Sequence, residues 1–436
     1  MDGPEKLDLI TAKSHMNMTR KVSVAIAIGL ILLALAPANA VELRGSIFSD
    51  WYAFRLLDTT HVRSYLGARG TLVAWRGRHD QTLEFHTSFR WAGDLSHSQG
   101  LAPQVFVYET YARLSNLPRG LELSLGRQFT FNGLQSLLLD GLRARYSPMR
   151  RLQVELFGGA TALSSDPEKI QSLSHDGVAG GRISYAITES FRTGVSALSR
   201  KSEGFGAVSQ YGLDLEKEIG RWDFFTKGAY NSTQSRLADF LARLSVRPRN
   251  WYFAGEFSYR QPSVSDASIW SIIDFADYRQ ARFEARRVIC KSLSIGGQLY
   301  YSASDPTNTV RTTFGISSGF YSIGWSHQNG SGGDNNGFYG TLNSRLTPQL
   351  EAYVSSNLTQ YRVDVEQPDW TNSYGTTLGL LWHNGSGYSV RAEGQWFKID
   401  QKANTFVLAN TTSQVRFYLR ASKDFSLGRA PQRVKA

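Results

Sequence analysis

Apolar and polar residues alternate along most of this chain. Leu121–Tyr146 (LELSLGRQFTFNGLQSLLLDGLRARY) shows the unit plainly. Its first arm alternates Leu121, Leu123 and Leu125 with Glu122, Ser124 and Gly126. Its second arm alternates Leu142, Ala144 and Tyr146 with Arg143 and Arg145. Successive side chains on a strand point to opposite faces, so each arm has one apolar and one polar face. Together they predict a β-hairpin. The stretch between them, Phe129–Asp140, reads as a long, mostly apolar loop. The same pattern divides the chain into 22 segments, most of them 9 to 14 residues long, from Glu42–Phe54 and Val62–Trp75 to Gln414–Phe425.

The connections are patterned too. Every second one is tight, among them RGRH, NLPRG, SPMRR, EIGR, RPRN, TPQ and HNGSG. The others are mostly longer, among them AGDLSHSQGLAP, TALSSDPEKIQSLSHD and QPSVSDASIWSIIDFAD. Aromatic residues mark both ends of the segments. Trp75, Trp222, Trp251, Trp382 and Tyr388 adjoin short turns, whereas Trp91, Tyr230, Tyr259, Tyr301 and Trp325 adjoin long ones. Two belts of aromatics are what the two membrane–water interfaces select. The predicted fold is therefore all-β: a transmembrane antiparallel up-and-down β-barrel of about 22 strands with no plug domain. An even count starting on the short-turn side puts both termini in the periplasm.

In these features the chain resembles the outer-membrane porins of diderm bacteria. The resemblance spans the mature chain and rests on pattern rather than on a residue signature. It implies a bacterial outer-membrane location, contact with outer-membrane lipid, and insertion by a barrel-assembly machinery that reads a terminal aromatic residue. Phe425 matches that residue, although SLGRAPQRVKA follows it.

The start of the chain reads as an export signal. Arg20 and Lys21 precede the uncharged run Val22–Ala36, and Ala38-Asn39-Ala40 supplies small residues for cleavage before Val41. Residues 1–15 read as an upstream extension, 41–428 as the barrel and 429–436 as a periplasmic tail. The full chain carries 48 Lys+Arg against 37 Asp+Glu, a net +11. The signal takes away four basic and three acidic residues, leaving +10. Nucleic-acid binding would suit that charge but not an exported barrel. The single cysteine, Cys290, allows no internal disulfide, zinc cluster or haem attachment.

No catalytic constellation is evident: the sequence lacks HExxH, CxxCH and a Walker-type loop, so no enzyme activity, cofactor or metal is expected. The polar faces carry the informative chemistry. They present Arg90, Arg113, Arg143, Arg145, Arg282, Arg286, Arg416 and Arg420 with Glu84 and Glu122. If the apolar faces meet lipid, these line the lumen, where arginine's planar fork favours carboxylates and phosphates. Many of them are equally suited to ion pairs that stiffen the wall. So wide a barrel also needs narrowing. The candidates are two apolar stretches, one with Phe129, Phe131, Leu134 and Leu138, the other with Trp270 and Phe275. The leading expectation is a passive, anion-biased channel for small polar solutes. The alternatives are a scaffold sheathing a periplasmic partner, such as a multihaem cytochrome, and an export pore for an acidic polysaccharide.

Overall fold

The computed structural model describes residues 42–428 except 57–58, 97–103, 163–168, 203–205, 262–276, 305–306, 332, 363–369 and 402–409. The stretches read as a signal and a C-terminal tail, together with Trp270 and Phe275, lie outside the described residues. The described chain forms 22 strands. The first seven are β1 (Glu42–Leu56), β2 (Thr59–Arg76), β3 (Thr82–Asp94), β4 (Gln104–Leu117), β5 (Leu121–Phe131), β6 (Ser136–Met149) and β7 (Leu152–Thr161). A four-residue helix, α1 (Leu173–Asp176), precedes β8 (Gly177–Thr188). Next come β9 (Phe191–Ser202), β10 (Gly206–Ile219), β11 (Trp222–Asn231), β12 (Arg236–Val246), β13 (Trp251–Arg260), β14 (Tyr278–Cys290) and β15 (Leu293–Ser304). The last are β16 (Thr307–Ser318), β17 (Tyr321–Gly330), β18 (Asp334–Thr347), β19 (Leu350–Arg362), β20 (Thr371–His383), β21 (Tyr388–Gln401) and β22 (Asn410–Gly428).

Each strand pairs antiparallel with its neighbours in sequence, and β1 pairs with β22 from Glu42↔Gly428 to Phe54↔Arg416. The sheet is therefore a closed up-and-down barrel. Closure matters because an open edge would expose unpaired N–H and C=O groups, which hydrocarbon cannot solvate. Strands about 4.8 Å apart and tilted by about 40° make a 22-strand ring roughly 40–45 Å across between backbones. No helix among the described residues is long and apolar enough to cross a membrane, a statement that leaves strand-built spans untouched.

The strand count agrees with the sequence pattern, but the loops differ from it. The stretch read as a twelve-residue loop after Gln128 is a four-residue connection, 132–135, because β5 and β6 stay paired from Leu121↔Tyr146 to Phe131↔Ser136. Phe129, Phe131 and Leu138 are thus strand residues. Another connection on the same end is as short: 232–235 joins β11 to β12. There the ladder simply continues past the amphipathic part, since polar side chains do not prevent backbone pairing. Part of the apparent loop length in the sequence is overhanging strand.

The two faces differ as expected for a wall between lipid and water. Leu125, Leu142, Leu156, Ile183, Val195 and Leu213, on six successive strands, are about half exposed or more on the outside. The aromatic ends Trp75, Trp222, Trp251 and Tyr388 are similarly exposed next to short turns, with Tyr230 and Tyr301 at the other end. A continuous apolar band of this extent is not tolerated in water and needs lipid.

Barrel closure has a direct test. Ser49 and Ala421 face each other across the β1–β22 seam. Opposed antiparallel residues have Cα atoms about 4.5–5.5 Å apart, within disulfide range. In a Cys290→Ser background, Ser49→Cys with Ala421→Cys is expected to cross-link on mild oxidation and to hold the barrel compact on boiling in detergent until reductant is added. Failure to cross-link would contradict the seam.

Candidate functional site

The region that sets this barrel apart is the upper part of β5, β6 and β7. Gly126 pairs with Gly141, and Gly141 with Gly159, so three glycines stand side by side across three strands. Gly126 has a φ of +126°, a conformation that L side chains rarely adopt. A Cβ on Gly141 would lie 2.7 Å from the Cα of Gly159, and one on Gly159 would lie 2.6 Å from the Cα of Gly141. This row is a fold line. Beyond it the β5–β6 hairpin turns into the lumen.

Hydrogen bonds and contacts trace the turn. In the wall, Glu122, Arg145 and Glu155 form one row of register partners. Thr130 is eight residues further along β5, about 26 Å for a straight strand. Its hydroxyl nevertheless donates to Glu155 Oε1 at 3.0 Å. At the tip, Gly133 lies so near β8 and β9 that a Cβ there would be 2.6 Å from Arg182 Nη1 and 2.5 Å from Ser196 Oγ. Asn132 shapes the tip by accepting from the backbone N–H groups of Leu134 and Gln135, each at 3.1 Å.

Folding inward exchanges the hairpin's faces. Its former inner face now packs on the wall. Leu137 and Leu139 bury themselves against Phe157, Val178 and Leu198, with Leu134 alongside. Leu139 is fully buried, as are Gln128 and Asn132. Each such apolar side chain contributes about 1.5–3 kcal/mol. The former outer face now looks across the lumen, and Phe129 and Phe131 are more than half exposed there. Leu138 pairs with Phe129 on that face. Of the constriction candidates in the described residues, the structure therefore brings Phe129, Phe131, Leu134 and Leu138 into one inward hairpin, with Leu134 on its wall side.

A turned hairpin leaves a gap in the wall, because the β4–β5 ladder stops at Thr110↔Arg127 while β4 continues to Gln104. Arg127 fills it. Its guanidinium donates to both carboxylate oxygens of Asp140 at 2.6 Å, to Val107 O at 3.2 Å and to Lys169 O at 2.9 Å. Both side chains are almost fully buried. Sequence reading passed over this pair. A signal existed: Arg127 and Asp140 fall on the same alternation as Leu125 and Leu142, and a charge pair cannot face hydrocarbon.

The eight arginines singled out on polar faces divide into two groups. Five meet carboxylates. Arg113 bonds Glu84, Arg143 lies 3.4 Å from Glu122, and Arg145 lies 3.1 Å from Glu155 and 3.9 Å from Glu122. Arg282 lies 3.9 Å from Glu256, and Arg420 lies 3.6 Å from Asp50. The other three, among the described residues, have no carboxylate within ion-pair distance and rest on aromatic rings instead. Arg90 stands over Tyr65, Phe106 and Tyr108, Arg286 over Tyr252 and Arg416 over Phe397. Stacking holds a guanidinium in place without neutralising it. The Nε atoms of Arg90 and Arg416 are buried without a hydrogen-bond partner. No group of three or more potential metal ligands occurs among the described residues.

If the buried pair holds the hairpin in, Arg127→Met strands the Asp140 carboxylate at a cost of about 3–5 kcal/mol. The expected result is a lower unfolding midpoint in urea and protease cleavage within 132–135. Adding Asp140→Leu should restore most of the loss. Resistance of the single variant to both treatments would contradict this role.

No protein-family model matches the sequence, and no curated protein matches it. Solved structures match by shape. The translocation pore of the P pilus usher PapC gives a TM-score of 0.48 at 8% identity, over 89% of this chain and 100% of that one. OpdQ of Pseudomonas aeruginosa gives 0.42 at 9% identity, over 89% and 99%. A BenF-like porin from Pseudomonas fluorescens Pf-5 gives 0.43 at 8% identity, over 89% and 99%.

Proposed function

We propose that the protein is a bacterial outer-membrane channel through which small polar solutes diffuse, with a preference for anions. The observation that carries this reading is the inward hairpin. A bare 22-strand ring roughly 40–45 Å across would pass almost any small molecule and leak accordingly. A hairpin anchored on the inner wall by Thr130 and Leu139 converts a wide hole into a restricted path. Phe129 and Phe131 give that path an apolar edge, and the arginines give it positive charge. A sheath for a partner protein would instead need the lumen clear.

The anion preference follows from the arginines without carboxylates. Ion-paired arginines such as Arg113 largely cancel, whereas Arg90, Arg286 and Arg416 carry a charge that no carboxylate among the described residues offsets. Rings of uncompensated charge of one sign set ion preference in pores. On this reading the short turns face the periplasm, so the barrel begins and ends there, and Phe425 serves recognition by the assembly machinery.

The test is reconstitution in a planar bilayer. The expected result is stepwise conductance whose reversal potential in a KCl gradient reports anion preference. Arg286→Glu combined with Arg416→Glu should move that potential toward cation preference. Replacing the hairpin beyond the glycine row with a two-residue turn should raise conductance severalfold. A protein that inserts but never conducts would overturn the reading.

A further inference from the structure

Between the hairpin and the short turns lies a chamber of about 830 Å³. Phe131 forms part of its boundary, and the turn joining β6 to β7 lies at its mouth. Six arginines line it: Arg119, Arg145, Arg150, Arg151, Arg182 and Arg192. Glu155 is its single lining carboxylate. The chamber thus collects positive charge on the short-turn side of the hairpin.

The six are held in two ways. Arg145, Arg182 and Arg192 are braced on the wall by Glu155, Asp214 and Glu216 at 3.1, 2.7 and 3.5 Å. Such bracing fixes where a guanidinium points while leaving some N–H groups free, since each has five. Arg119, Arg150 and Arg151 are exposed on two adjacent turns and, among the described residues, have no carboxylate within ion-pair distance. Three like charges gathered at one mouth repel each other and call for a compensating anion.

We propose that this chamber binds a multiply charged oxyanion, a small molecule carrying two or more phosphate or carboxylate groups. The proposal rests on the channel reading and names its solute class. Guanidinium forks engage such groups through two parallel hydrogen bonds, which a spherical chloride cannot accept. Separate arginines on the wall and at the mouth suit separate anionic groups on one ligand. The volume falls within the usual range for small-molecule sites, about 300–1,000 Å³, and excludes a folded protein.

The test is calorimetry on the full chain in an uncharged detergent with about 0.1 M KCl, which screens loose surface attraction. Pyrophosphate and citrate are titrated separately. Saturable binding of at least one is expected, and their order assigns phosphate or carboxylate as the favoured group. Arg150→Gln with Arg151→Gln should weaken binding by about tenfold or more. Arg249→Gln, on an exposed basic turn outside the chamber, should leave it unchanged. Absence of saturable binding for both probes would overturn the proposal, as would full affinity in the double variant or an equal loss in Arg249→Gln. Currents on the same preparation separate the two readings. Anion-selective current without oxyanion binding removes the chamber and keeps the channel. Oxyanion binding without current removes the channel and keeps the site.

Discussion

A strand that leaves the wall of a membrane barrel leaves unpaired backbone behind it, and hydrocarbon offers nothing to pair with. Everything distinctive in this protein depends on how that constraint is met. The β5–β6 hairpin does not peel away alone. It folds along the glycine row Gly126–Gly141–Gly159, so its own ladder runs unbroken to Phe131↔Ser136. On the side where β4 loses its partner, Arg127 donates to Val107 O in place of a strand. Its charge is met by Asp140 from within the hairpin. The same ion pair thus ties the hairpin's root and covers the gap it makes.

The fold line also decides what the lumen looks like. Turning the hairpin inward presses Leu137 and Leu139 onto the wall, giving a wet barrel a small apolar core. It brings Phe129 and Phe131 from an outward alternation to the lumenal side. It leaves an arginine-lined chamber between its tip and the short turns. The narrowing therefore comes from one local event in three strands. The rest of the barrel supplies circumference and closure, and its strands β3, β14 and β22 carry the ring-stacked Arg90, Arg286 and Arg416.

Much of this was legible in the sequence, and the rest failed for physical reasons. Strand number, strand faces and aromatic ends follow from alternation, because a wall between lipid and water enforces it at every step. Leu125 and Leu142 lie where that alternation puts them. Loop lengths were misread because ladders such as Phe54↔His61 continue beyond the amphipathic span, where no lipid enforces a pattern. The hairpin was visible as an apolar stretch but not as a fold. Its glycines lie 15 and 18 residues apart in the chain, and only register aligns them. Arg127 and Asp140 were the readable sign, two opposite charges on the alternation of an apolar face. Which arginines keep their charge was not legible, since that depends on cross-strand neighbours such as Glu256 for Arg282 and Tyr252 for Arg286.

The inward hairpin is best tested at Phe131, whose alternation with Leu125 assigns it to lipid and whose fold assigns it to the lumen. The measurement is single-channel current through Phe131→Cys in a Cys290→Ser background, before and after adding a charged, membrane-impermeant methanethiosulfonate. A lumenal position predicts rapid modification and a discrete change in conductance. Full accessibility only from lipid, with current unchanged by the charged reagent, would contradict it.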